Sequence, residues 1–279
     1  MRKDGTKVKN AELMYLFVPH IMKERNDAMN MITLDIPVEP MQKYINEKRK
    51  ENFHVSHLSL FLAAYVQVIA EFPLLNRFVV NRTIYDRNEL AIAMVTLKPG
   101  ADNSTMGKLY FTPGEDIFSV CKKVDKFIEI NTAAEDITNS LDKFMNFMTK
   151  IPGLLRFGVP VLMWMDKHGL LPKSIIDLSP FHSSMTITNL ASIRTNHIYH
   201  HIYNFGTTSV LCALGNLREI PSAGKDGQVK LTRCMPVGVV MDERICSGHY
   251  FSFAFRSLQK YLRDPKLLET PFSGEIHMK

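Results

Sequence analysis

Four cysteines occur in 279 residues, and none of them lies in a C-x-x-C pair. Cys121, Cys212, Cys234 and Cys246 have no spacing that suggests a disulfide framework or a thiolate metal site, so free thiols in a reducing compartment are expected. The sequence also lacks a long apolar run. Its most apolar stretches, Leu58–Phe72 and Ile151–Met165, fall short of the roughly 18 residues a spanning helix requires. The second is also interrupted by Pro152, Gly153, Arg156, Gly158 and Pro160. The N-terminus Met-Arg-Lys-Asp-Gly has no apolar core of the signal-peptide kind. A cytoplasmic protein without a membrane span is the expectation. Charge of one sign is scarce too. The net charge of +6 is small for this length, and no nucleic-acid partner is expected. The local excess, Arg2, Lys3, Lys7 and Lys9, reads as a solvated terminus.

What is present is an ordinary globular composition, 46% hydrophobic and 22% charged, enough to bury a sizeable core. Local patterns mix helices and strands. Ser56 is placed to cap a helix whose apolar residues run from Leu58 to Phe72 and stop at Pro73. Leu34–Val38 reads as a short strand, and Met41–Glu51 as a charged helix. Arg77–Val80 and Thr83–Tyr85 read as a hairpin turning at Asn81-Arg82. Leu90–Leu97 reads as a strand ended by Lys98-Pro99-Gly100. Helix is expected over 115–150. Strands are expected at Ser184–Leu190, His197–Asn204, Ser209–Leu214 and Gln228–Met241, with a turn at Gly224–Gly227 between the last two. A final helix is expected at Ser252–Leu262. No repeat or linker interrupts the chain, so residues 1–279 are read as one domain with a large mixed sheet.

One stretch carries a motif. Pro236–Met241 is apolar and strand-like, Asp242-Glu243-Arg244-Ile245-Cys246-Ser247-Gly248 is a tight polar turn, and a helix follows as far as Asp264-Pro265. This resembles the D-H-R-x-x-D-G turn of the coenzyme-A-dependent acyltransferases, which include chloramphenicol acetyltransferase and the dihydrolipoyl acyltransferase cores of 2-oxoacid dehydrogenase complexes. Weaker similarities follow in the same order along the chain: Pro19-His20, the 58–72 helix with Pro73 and Asn76, Ala91–Thr96, Ser184–Leu190 (S-M-T-I-T-N-L against T-F-T-I-S-N-L), and Ser209–Gly215 with Pro221. Residues 100–180 have no clear counterpart.

The resemblance implies an α/β two-layer sandwich with a large mixed sheet, a homotrimer with its site between subunits, and acyl-coenzyme A as the donor. The lipoyl-bearing and peripheral-subunit-binding segments of a full dehydrogenase component are not expected in residues 1–279, which read as the catalytic domain alone. It places Thr188 where the family's serine donates to the tetrahedral oxyanion. It places Glu243 where the family has its basic histidine, and Ser247 where it has a second acid. His20, Asn189, Arg244 and Gly248 fall at positions for substrate or coenzyme A.

Imidazole suits both removal and return of a proton because it titrates near neutrality, whereas glutamate starts near 4.3. Three readings of Glu243 therefore stand side by side: a carboxylate in a site that has lost its chemistry, a carboxylate base raised by burial, or an incidental residue with another histidine as base. His249, just past the motif, and His20 are the candidates for that histidine. Cys246 inside the motif reads as packing. His197, His200 and His201 invite a metal reading, but on a strand His197 and His201 lie about 13 Å apart with His200 facing away. No metal is expected. The apolar segment 151–180 is either a core or lid-like cover, or a wall for a long acyl chain or lipid-like acceptor.

Overall fold

A computed structural model describes residues 2–97, 104–132, 140–223 and 227–277. Along the chain, strands and helices follow in this order: β1 (Gly5–Lys7), α1 (Leu13–Ile21), β2 (Met29–Pro37), α2 (Val38–Lys50), α3 (His57–Glu71), β3 (Arg77–Val80), β4 (Thr83–Arg87), β5 (Leu90–Leu97), β6 (Ser104–Phe111), α4 (Ile117–Thr132), α5 (Ser140–Lys150), α6 (Leu154–Lys167), α7 (Lys173–Leu178), β7 (Met185–Asn189), β8 (Val210–Leu214), β9 (Arg218–Ala223), β10 (Val229–Asp242) and α8 (Gly248–Arg263).

Among the described residues the strands form two sheets. The large one runs β2-β10-β8-β7-β5-β6, with β9 pairing β10, and the small one runs β1-β4-β3. The large sheet is mixed: β7 is parallel to both β5 and β8, and the other pairings are antiparallel. Helices α2, α3, α4 and α8 cover one of its faces. Period-2 alternation decides which residues point there. Met185 and Ile187 of β7, Val210, Cys212 and Leu214 of β8, and Val237, Val239 and Met241 of β10 belong to the main core. Leu211 and Val240 point the other way, where they pack with Ile202. The architecture is therefore a helix layer on a mixed sheet, as the sequence implies.

Several local expectations hold. Ser56 caps α3 by accepting from the Ser59 amide at 3.0 Å. Asn81 and Arg82 both take positive φ between β3 and β4, at 47° and 60°. Such a turn matches the right-handed twist of its strands. Within the 115–150 expectation α4 and α5 are helical, and residues 133–139 lie outside the described residues. The turns at 98–100 and 224–226 lie outside the described residues.

Three expectations are corrected. His197–Asn204 is not a strand. It runs as irregular chain across the sheet's open face, where Gly215 and Gly238 admit it. A Cβ on Gly238 would meet the Ile198 carbonyl oxygen at 2.3 Å, and one on Gly215 would meet the His197 nitrogen at 2.2 Å. Second, Arg2 is not part of a solvated terminus. It is buried against Asp4 at 2.9 Å and Asp166 at 2.7 Å, while Lys3, Lys7 and Lys9 are exposed. Third, α6 continues through Pro160 instead of breaking there. That side of the helix is exposed, so water can satisfy the carbonyl left unpaired one turn earlier. Of the readings of 151–180, core packing does not hold for Phe157, Val161 and Trp164, which are exposed. α1, β6 and β9 add elements that the local patterns do not announce.

Candidate functional site

The motif turn joins β10 to α8. Asp242 is fully buried and holds Arg244 through two contacts of 2.7 Å, from Nε and Nη2. Arg244 Nη1 donates to the carbonyls of Met22 and Lys23 at 3.2 Å. Arg25 Nε lies 3.6 Å from Asp242, while its Nη1 and Nη2 donate to the carbonyls of Tyr203 and Val79. The D-x-R half of the motif thus clamps residues 22–25 against the end of the sheet, and the Arg244 guanidinium is committed to this clamp.

Ser247 is the N-cap of α8 and accepts from the Tyr250 amide at 3.1 Å. Aspartate and serine cap comparably well, so the change at this position preserves the helix start. Cys246 is buried, and burial pushes its thiol well above the usual value, which makes it a poor nucleophile. Glu243 is half-buried; its carboxylate accepts from Asn30 Nδ2 and its amide donates to the Ala28 carbonyl at 2.9 Å. Gly248 is exposed at the first position of α8. His249 is exposed, with its ring edge-on to Phe253. His20 is exposed in the last turn of α1.

Thr188 lies elsewhere. It is in register with Ala213, which is in register with Gly238, five residues before Glu243. Two strand spacings and five residues of rise separate Thr188 from Glu243 by roughly 19 Å within one chain. Thr186 and Thr188 alternate with core Ile187, so both face the open side of the sheet. There they line a cavity of about 260 Å³ with Val95, Met106, Phe181, Leu190, Ile198, His200, Ile202, Tyr203, Phe205, Thr208 and Leu211. Asn189 ends β7, and its carbonyl accepts from the Ser192 hydroxyl at 2.6 Å.

Two further spaces adjoin this cavity. Under α5 and α6 an almost wholly apolar pocket of about 170 Å³ is lined by Phe144, Met145, Met148, Leu155, Val159 and Leu162, with Ile175, Leu178, Ser179, Pro180, Phe181 and Phe205 closing it. On the other side a cleft of about 380 Å³ is bordered by Lys23, Arg25, Arg82, Lys167 and Arg244, with Glu24, Asp166 and Phe205. Phe205 borders all three spaces.

The walls between them are held by a buried network. His182 Nδ1 is 2.9 Å from the Ser179 hydroxyl. Its Nε2 is 3.2 Å from Asp166, near enough to pair but not aligned as a hydrogen bond. Burial pulls the His182 imidazole below its ordinary 6.5. Burial pushes Asp166 upward, but His182 and the Arg2 guanidinium outweigh it and hold the carboxyl at about 2. Among the described residues no three His, Cys, Asp or Glu side chains are grouped to hold a metal ion, and no helix is long and apolar enough to cross a membrane.

Residues 180–270 match the family model described as 2-oxoacid dehydrogenases acyltransferase (catalytic domain). Solved structures align over nearly the whole chain. A probable dihydrolipoamide acetyltransferase from Listeria monocytogenes aligns with a TM-score of 0.58 at 11% identity, covering 96% of this chain and 97% of that one. The cubic core of the pyruvate dehydrogenase multienzyme complex aligns with a TM-score of 0.59 at 11% identity, covering 94% of each. This is an acyltransferase-core fold. A chloramphenicol acetyltransferase aligns with a TM-score of 0.54 at 11% identity, covering 92% of this chain and 99% of that one. No curated protein matches the sequence.

The acyltransferase fold so placed brings Thr188 to a cavity and leaves Glu243, His249 and His20 away from that cavity's lining. The T-I-T alternation signals Thr186 and Thr188. Phe181, His200 and Phe205 carry no comparable signal, because they reach the cavity from irregular chain.

Proposed function

We propose that this chain binds acyl thioesters of coenzyme A and transfers a hydrophobic acyl group to a hydroxyl, amine or thiol. The observation that carries this reading is the position of Phe205, at the junction of the cationic cleft, the Thr188 cavity and the apolar pocket. An acyl-coenzyme A has three parts whose chemistry matches these three spaces. Its phosphates suit exposed Lys23, Arg82 and Lys167, its thioester suits the Thr188 hydroxyl, and its acyl chain suits the space under α5 and α6. Thr188 is the oxyanion donor in this reading.

The test is calorimetric binding of acetyl- and decanoyl-coenzyme A, with release of free coenzyme A followed in parallel. Each buried methylene contributes about 0.8 kcal/mol, so decanoyl-coenzyme A is expected to bind at least about 100-fold more tightly. Equal binding of the two removes the acyl pocket from the account, and binding of neither removes the reading. Binding without release of coenzyme A favours a second reading, a thioester-binding or scaffold protein. The loss of the motif histidine at Glu243 is the observation that keeps this alternative open.

The proposed assembly is a homotrimer. α1 presents Leu13, Met14, Phe17 and Ile21 to solvent, with Leu13 83% exposed, and α6 presents Phe157 and Trp164. Apolar surface of this kind is characteristic of interfaces. Light scattering is expected to give three times the chain mass of 31.9 kDa. A stable monomer at micromolar concentration contradicts the assembly.

A further inference from the structure

We infer that His200 is the base of this site, supplied by the crossing segment on the same chain as Thr188. The inference rests on the transferase reading above.

Three observations carry it. The first is place: His200 lines the same cavity as Thr188 and Thr186, and within one chain Glu243, His249 and His20 do not line it. The second is tautomer. His200 Nδ1 lies 2.9 Å from the carbonyl oxygen of His201. A carbonyl oxygen only accepts, so in the neutral ring the proton sits on Nδ1, and Nε2 carries the lone pair. That bond also fixes the ring's orientation, which a base requires. The third is support. The segment carrying His200 is fastened on both sides: the Thr33 hydroxyl meets His197 Nε2 at 3.2 Å and bonds the Tyr199 hydroxyl, and Ile202 is buried against Leu211 and Val240.

The chemistry balances without a further reagent. His200 Nε2 takes the proton from the acceptor's O–H, N–H or S–H as that atom bonds to the thioester carbonyl carbon. The carbonyl π pair moves onto oxygen, where the Thr188 hydroxyl donates to it. When the pair returns, the C–S bond breaks, and the departing sulfur takes the proton from Nε2. The acyl group has moved from sulfur to acceptor, one proton has moved from acceptor to sulfur, and the histidine is restored.

The test compares His200→Asn, His200→Ala, Glu243→Gln and the distant control His54→Asn. The probe is decanoyl-coenzyme A, with water or 1-octanol as acceptor. Asparagine can keep the donor to the His201 carbonyl but has no basic nitrogen. His200→Asn is expected to lower coenzyme A release at least about 100-fold, within the range general-base catalysis supplies, while decanoyl-coenzyme A still binds within about threefold. Added imidazole is expected to restore part of the rate to His200→Ala, a response that a merely structural histidine would not give. His54→Asn is expected to match the unaltered protein. The assignment is overturned if His200→Asn keeps its rate, or if Glu243→Gln alone abolishes it; in either case transfer itself still stands. If the unaltered protein binds the thioester without cleaving it, transfer and base fall together. Circular dichroism of each variant separates a lost base from a lost fold.

Discussion

Asp242→Ala is expected to destabilise the protein by about 3–5 kcal/mol, the range for removing one partner of a buried ion pair. Asp242 is fully buried and is the carboxylate on which Arg244 closes. Arg25 is the second cation there. Burial pulls its pKa down to about 10, Asp242 offsets that in part, and its Nε has no hydrogen-bond partner. Alanine would leave two buried guanidinium groups facing one another, and would release the carbonyls of Met22 and Lys23 from their donor. Asp242→Asn keeps the size and one acceptor, so it is expected to cost less than alanine but still more than a surface change. Urea denaturation of both variants measures this. A loss below about 1 kcal/mol for alanine contradicts the clamp.

This result bears on how the motif is understood. Asp242, Arg244 and Ser247 have structural work independent of any base: two join the turn to the N-terminal chain, and one caps α8. The turn therefore holds the fold whatever residue acts as base. Ser247 keeps the cap of α8 that an aspartate at this position could also supply.

Much of the fold is legible in the sequence because the deciding interactions are local. Ser56 caps α3 within three residues, Asn81-Arg82 turn a hairpin, and alternation around Ile187 assigns Thr186 and Thr188 to one face. The candidate site is legible only in part. Residues 197–204 alternate in a way that suits a strand, and no local rule separates a strand within a sheet from a chain lying across one. The distinction depends on Gly215 and Gly238, far along the sequence, which leave room for a second backbone. Once the segment crosses the sheet, His200 reaches the Thr188 cavity, which a strand at the same residues would not allow. Arg2 shows the same limit. Its burial depends on Asp166, 164 residues away, so its neighbours Lys3, Lys7 and Lys9 mislead. The apolar character of 151–165 is plain, but not its role. Part of α6 faces the pocket it shares with α5, while Phe157 and Trp164 are left to solvent.

In the proposed reaction, chemistry occurs at Thr188, with charge developing on an oxygen beside its hydroxyl. Thr188→Val removes that hydroxyl and keeps the branched shape against Thr186 and Leu211, so the fold and thioester binding are expected to persist. Loss of one oxyanion donor costs about 10²–10³ in kcat. Thr188→Ser keeps the donor and is expected to retain most of the rate. The decisive measurement is the kcat for coenzyme A release from decanoyl-coenzyme A by these two variants beside the unaltered protein. A fall of about 10²–10³ is expected for valine, with serine near the original. Equal kcat for valine and the unaltered protein would contradict it, and would move the reaction away from this cavity.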